Sequence, residues 1–299
     1  MKCIFVYNPE SGNGKIHKYK NFILSKLNEK YGEIECVETD HPGHAFELAK
    51  ESIGVYDYFF VAGGDGTINE VINGMGDAEN KPVIGYIPSG TVNDVARSLG
   101  ISRKIKKAVR NLLEGEPFEH DTFKVNDRYG IYVCATGLFT CASYDTNRYD
   151  KKKLGKLAYV KRAIKELKKT ETMPVTLTLE NETISTNSPL ILILNSRSVA
   201  GFKINKNASL CDGEVEVVIF STTNKYVTLA ELLVISNTFA FGLDKLKNSK
   251  SIIYRKAKTF NITLSEGTAI NLDGEKSGEG SFNFEVIQKA IKIITPKGK

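Results

Sequence analysis

Little in this sequence suits an oxidising compartment or the inside of a bilayer. Its five cysteines, Cys3, Cys36, Cys134, Cys141 and Cys211, are odd in number, widely spaced and without a CxxC pair. That excludes a dense disulfide framework and a cysteine-based zinc site, and is read as reduced thiols in a cytosolic protein. Apolar runs such as Leu190 to Leu194 are far too short to span a membrane, so any membrane ligand would be reached from the surface. No secretory signal pattern, internal repeat or low-complexity segment is visible. Charge is only mildly lopsided: 41 Lys and Arg against 35 acids give +6, compatible with nucleotide, anionic lipid or nucleic acid. With 299 residues, 41% hydrophobic and 25% charged, the chain suits two globular domains.

What the sequence does hold is glycine in two telling places. Tyr58 to Ala62 is a buried-strand run that ends on Gly63-Gly64-Asp65-Gly66-Thr67, after which Ile68, Val71 and Ile72 fall at helical spacing. A strand, a Gly-rich turn and a helix let backbone N–H groups and a helix N-terminus approach a phosphate. Asp65 inside such a cradle would repel a phosphate, so it makes most sense facing a divalent cation; its bland alternative is a turn cap. Ile84-Gly85-Tyr86-Ile87-Pro88-Ser89-Gly90-Thr91-Val92-Asn93-Asp94 repeats the plan, with Thr91 placed to cap a helix or bind phosphate and Asp94 in the first turn. Two such edges suggest parallel strands whose carboxyl ends face one crevice.

A third polar loop, Asn8-Pro9-Glu10-Ser11-Gly12-Asn13-Gly14-Lys15, follows the strand Cys3 to Tyr7. It is not a P-loop, because the spacing differs and Ile16 replaces the hydroxyl. Ile34 to Thr39 is another strand, and His41 and His44 beyond it are read as turn residues, since no Cys or second carboxylate pair accompanies them. Strand and helix alternate up to Pro117. Phe118 to Val125 and Tyr129 to Ala135 then read as two strands joined by a turn; on the first, the pattern leaves Asp121 either solvent-facing or functional. Arg148 to Lys169 reads as a basic amphipathic helix, its apolar stripe packed on its own domain and its lysine face able to assist docking on anionic membrane; no aromatic stacking platform interleaves with it, which argues against nucleic acid. From Pro174 short alternating strands imply a sandwich, interrupted by an apolar helix at Val227 to Leu243 and closing with Phe282 to Ile287 and Ala290 to Thr295.

Together these motifs resemble the diacylglycerol kinase catalytic domain shared by bacterial lipid kinases and sphingosine kinases. The GGDG segment alone also occurs in NAD kinases and phosphofructokinases; the Pro88 to Asp94 segment favours the lipid kinases. The resemblance implies a Rossmann-like α/β nucleotide-binding domain at 1–117, to which 289–299 returns, and a β-sandwich acceptor domain at 118–288. It implies ATP at Asn8, Pro9, Glu10, Ser11, Gly12, Thr39, Gly63, Gly64, Asp65, Gly66, Thr67, Ile68, Asn69 and Thr91. Mg²⁺ would be organised by Asp65, Asp94 and Asp121, and Glu275 in the Asp273-Gly274-Glu275 segment would be general base towards a lipid hydroxyl. Lys276 follows where members often carry Pro. A structural Mg²⁺ would sit on Asp212 and the carbonyls of Ser209 and Glu214. The expected activity is diacylglycerol phosphorylation by a cytoplasmic protein peripheral at the inner membrane face. Exposed strand edges offer a route to a homodimer. Alternatives are another lipid alcohol (phosphatidylglycerol, monoacylglycerol, a sphingoid base), NAD, or a non-catalytic nucleotide- or lipid-binding protein.

Overall fold

The computed structural model describes residues 1–12, 14–138 and 170–298. Four apolar runs become parallel strands: β1 (Cys3–Tyr7), β2 (Ile34–Glu38), β3 (Tyr58–Gly63) and β4 (Val83–Pro88). β1 lies between β2 and β3, and β4 pairs with β3. Their continuous apolar character reflects cover on both faces by α1 (Lys15–Tyr31), α2 (His44–Glu51), α3 (Asp65–Met75), α4 (Asp94–Ser98) and α5 (Ile105–Glu114). α2 and α3 meet at Gly74, where a Cβ would stand 2.2 Å from the Phe46 carbonyl oxygen. Register pairs Tyr7 with Ala62 and Gly63 with Pro88, so β1, β3 and β4 end level with one another. The three loops that leave them are therefore neighbours.

The second half is antiparallel. β5 (Glu116–Val125), β6 (Arg128–Gly130), β8 (Met173–Thr178), β9 (Thr183–Ser188), β13 (Thr259–Leu264) and β16 (Phe282–Thr295) extend the first sheet. β7 (Val133–Gly137), β10 (Leu190–Leu194), β11 (Val215–Phe220), β12 (Ile252–Ala257), β14 (Ala269–Leu272) and β15 (Glu275–Glu279) form a second, in the order β12-β11-β10-β7-β14-β15. Between the sheets lies an apolar layer that includes Phe123, Phe260, Phe284, Ile191 and Val217. One further helix, α6 (Leu229–Phe241), follows β11.

Three expectations change. Tyr129 to Ala135 is not one strand: it breaks at Ile131-Tyr132, and its halves join different sheets as β6 and β7. The break has a local cause, since the Asp273 carboxylate accepts the N–H groups of Ile131, Tyr132 and Val133 at 2.7, 3.0 and 3.0 Å, in place of a ladder partner. Conversely, Phe282 to Ile287 and Ala290 to Thr295 are one 14-residue strand, with an irregularity between Ile287 and Ile291 where Lys289 takes φ 53°. β16 pairs with β5 along most of its length and meets β4 at Ile293↔Ile84, which makes the first sheet continuous across both halves. Asp121 faces no solvent; it is fully buried. The basic stretch Arg148 to Lys169 lies outside the described residues.

Candidate active site

The loops at the ends of β1, β3 and β4 interlock through glycine. Gly12 has φ 64°, and a Cβ there would stand 2.3 Å from the Ser89 carbonyl oxygen; Ser89 and Ser11 hydroxyls are 2.7 Å apart. A Cβ at Gly90 would stand 2.6 Å from the Gly64 Cα. Only glycine permits such approach of backbone to backbone. The Asn8 N–H donates to the Ala62 carbonyl at 3.0 Å, and the Asn8 side chain accepts from Glu10 N–H at 2.9 Å, which shapes Pro9-Glu10 into an Asx turn. Thr39 joins the same rim by donating its N–H to Tyr7 at 3.0 Å.

Asp65 is the first residue of α3, yet its carboxylate serves α4. It accepts the N–H of Asp94 at 3.1 Å and of Val95 at 3.3 Å. Thr91 is therefore not the cap expected of it; it is exposed, and its carbonyl accepts from Arg103. The residue before α4 is Asn93, at φ 55°, which closes the turn by exchanging hydrogen bonds of 2.9 and 2.7 Å with Gly90. Burial pushes the Asp65 carboxyl up, against the pull of these amides. Each of its oxygens has a further lone pair, so the donor set fits a hard divalent cation.

Glu275 is brought to this turn by a short hairpin. Asp273 and Gly274 have φ 52° and 92°, the positive pair of a two-residue turn between β14 and β15, and Glu275 opens β15. The Glu275 Oε1 lies 3.1 Å from where a Cβ on Gly66 would be, against the first turn of α3. Lys276 continues β15 by pairing with Asn271, so the strand is formed without Pro. Asn69 is turned away from the rim: it donates to Asp273 at 2.8 Å. Ile68 is core, and Thr67 folds back on Gly63.

The remaining acids are engaged by other loops. Asp94, almost fully buried, accepts from Ser198 Oγ at 2.7 Å and Gly201 N–H at 3.0 Å, which ties α4 to the loop after β10. Asp121 accepts from Lys289 N–H at 2.6 Å and Gly213 N–H at 2.7 Å, so its contacts group it with the 209–214 loop. In that loop Asp212 accepts from Glu214 N–H at 3.4 Å and from Lys256 Nζ at 3.1 Å.

Sequence reasoning missed several residues. Asp273 looked like part of a motif, yet it is the buried acceptor of four donors, and burial pushes its carboxyl up to about 6 against their pull. An Asp-Gly pair between two strand runs was the available signal. Glu70 accepts from the Gly43 and Ala45 amides; burial pushes it up, and the neighbouring Glu275 adds to that. His41 and His44 do have a carboxylate companion: Asp40 Oδ1 is 2.6 Å from one and 2.7 Å from the other.

Comparison with known proteins agrees with this arrangement. Residues 2–125 match the diacylglycerol kinase catalytic domain, and residues 133–295 match the YegS C-terminal NAD kinase beta sandwich-like domain. A diacylglycerol kinase of Staphylococcus carnosus is 34% identical over 294 residues, covering 98% of this chain and 94% of its own. The Bacillus subtilis diacylglycerol kinase is 34% identical over 297 residues, covering 98% and 96%. A crystal structure from Bacillus anthracis str. Sterne with a provisional diacylglycerol kinase name superposes with TM-score 0.85 at 26% identity, covering 99% of this chain and 95% of that one. Fold, interlocked glycine turns and full-length similarity converge, and the chain belongs to the bacterial diacylglycerol kinase family.

Proposed function

We propose that this protein transfers the γ-phosphate of ATP to the free hydroxyl of diacylglycerol, giving phosphatidic acid and ADP. The observation that carries this is the meeting of Glu275 with the Asp65-Gly66 turn, 210 residues before it in the chain. A carboxylate at that spot can accept the proton of an alcohol as its oxygen attacks phosphorus. The Gly63 to Thr67 turn and the loop Asn8 to Gly12 would take the phosphates, with Thr39 and Thr91 at the nucleotide's edges. Asp65 would hold Mg²⁺, which when bound neutralises charge on the transferring phosphoryl group. Asp94 and Asp121 act as positioning residues: the first fixes α4 against the 198–201 loop, the second fixes the 209–214 loop against β16.

No described helix is long and apolar enough to cross a membrane. In this reading the lipid would be met at the inner membrane surface. The test is γ-labelled ATP with Mg²⁺ and mixed micelles of diacylglycerol, for wild type and Glu275→Ala. Label in phosphatidic acid, reduced about 10²–10⁴-fold in the variant with KM for ATP unchanged, is expected. Label in NAD, or a fully active variant, would sink the assignment.

A further inference from the structure

α6 is a surface helix whose outer face carries no charge. Its exposed residues are Leu229, Ala230, Leu233, Ser236, Asn237, Ala240 and Phe241, one stripe along the helix, although a quarter of the chain is charged. Leu229, Leu233 and Phe241 are 62, 54 and 57% exposed. Its inner face, Leu232, Ile235 and Thr238, is buried in the core, so the outer leucines do not hold the fold together. The start is pinned: Thr228 and Glu231 form a capping box, and Thr222 and Asn224 donate to the same Glu231. This is a rigid apolar ridge of 13 residues, about 20 Å long.

Cations stand at both ends of the ridge. Lys225 Nζ lies 5.4 Å from the ring of Tyr226, itself 48% exposed, and Lys245 Nζ lies 5.8 Å from the ring of Phe241. An uncharged face with an aromatic and a lysine at each end matches a leaflet of anionic lipid, with hydrocarbon opposite the leucines and headgroups opposite the lysines. The ridge is also joined to the active crevice. Phe239 of α6 meets Phe202 edge to face at 5.8 Å; the adjacent Gly201 lies beside exposed Val92 and donates its N–H to Asp94. Apolar surface thus runs from α6 through Phe202 and Val92 to the Gly90-Thr91 turn.

We propose that α6 is the membrane-docking element: it lies flat on an anionic bilayer, apolar face down, and so sets the crevice over lipid headgroups. The proposal rests on the lipid-kinase assignment for its purpose, and its test separates the two. The full-length protein is sedimented with phosphatidylglycerol vesicles and with phosphatidylcholine vesicles. Three forms are compared: wild type, Leu229→Glu with Leu233→Glu, and Lys225→Gln with Lys245→Gln. Both pairs are exposed, and circular dichroism checks that the variants fold.

Wild type is expected to prefer phosphatidylglycerol vesicles. The double glutamate variant should bind them at least about tenfold less, because two inserted leucines are replaced by carboxylates. The double glutamine variant should bind a few-fold less and lose most of the salt dependence. Kinase activity on diacylglycerol held in vesicles should fall with binding, whereas activity on a water-soluble short-chain diacylglycerol should not change. Equal vesicle binding by wild type and the glutamate variant would overturn the proposal. So would a wild-type dimer that this variant dissociates while vesicle binding persists, since the face would then belong to a second copy. Failure to phosphorylate any diacylglycerol would remove the proposed reaction, yet vesicle binding would still decide the role of α6.

Discussion

Replacing Gly90 by alanine places a methyl group 2.6 Å from the Gly64 Cα and 2.9 Å from Asn93 Oδ1. The first neighbour is backbone. The second is the side chain whose two hydrogen bonds to Gly90 close the turn before α4. Ordinary contact begins at 3.4 Å, so the two glycine turns must part by roughly 1 Å. Overpacking of this kind costs about 1–3 kcal/mol, which for a chain of this size lowers Tm by roughly 2–5 °C. The displacement is passed on, because Asp65 straps the Asp94 and Val95 amides to the first turn of α3. A shift of about 1 Å in a phosphate cradle is expected to lower kcat/KM for ATP on the order of 10²-fold. The assay is steady-state kinetics at varied ATP with a thermal melt. Gly267→Ala is the control: nothing lies within 4 Å of its Cβ, though its φ of 76° makes alanine strained. It should lose some stability and keep its KM for ATP. A Gly90→Ala protein with wild-type Tm and wild-type ATP kinetics would show that the two turns do not meet in this way.

Three further outcomes are expected. Burial pushes Glu216 up from 4.5 to about 7, so between those values the folded protein holds a proton there that the unfolded chain releases; this group's contribution to stability is full below pH 4.5 and is lost as pH rises through 7. Glu216→Gln keeps an acceptor for Asn205 and should abolish this slope, gaining up to about 3 kcal/mol at pH 8 in urea unfolding; an unchanged pH profile would refute the assignment. Millimolar Mg²⁺ should raise the melting temperature of wild type but not of Asp212→Asn, by about 1–3 kcal/mol equivalent if the ion is well above its Kd, and equal melts in Mg²⁺ and EDTA would count against an ion at the 209–214 loop. Asp94→Ala orphans the Ser198 hydroxyl and the Gly201 amide, both facing a buried carboxylate, and should cost about 2–4 kcal/mol with faster proteolysis of the 196–205 loop; wild-type protease resistance would contradict the tie.

The parallel half was legible because its information is local. A run such as Tyr58 to Ala62, then glycines, then Ile68-Val71-Ile72, states strand, turn and helix within fifteen residues. Glu275 was legible only through the resemblance, since nothing in its neighbours says that it will lie beside Gly66. What failed to show was long-range. The break at Ile131-Tyr132 is made by a carboxylate about 140 positions later, and no window of sequence around Ile131 contains it. Asp65 illustrates a subtler loss: its being a cap was foreseeable, but the helix it caps begins 29 residues on. α6 was legible as an apolar helix, but composition cannot tell an inner leucine from an outer one when both faces are apolar.

The placement of β16 has a consequence for how the chain is made. During synthesis β1 to β4 leave the ribosome early, yet the neighbour of β4 and the full-length partner of β5 comes more than 150 residues after both. Until Phe282 to Thr295 arrives, the nascent nucleotide-binding half carries an open sheet edge beside buried-type residues such as Ile84 and Ile87. Such an edge is a site for wrong pairing, and closing it is a non-local step that slows folding. Truncating the chain within β16 would thus damage the half of the molecule made first, and a ribosome stalled before β16 should display a species that chaperones retain.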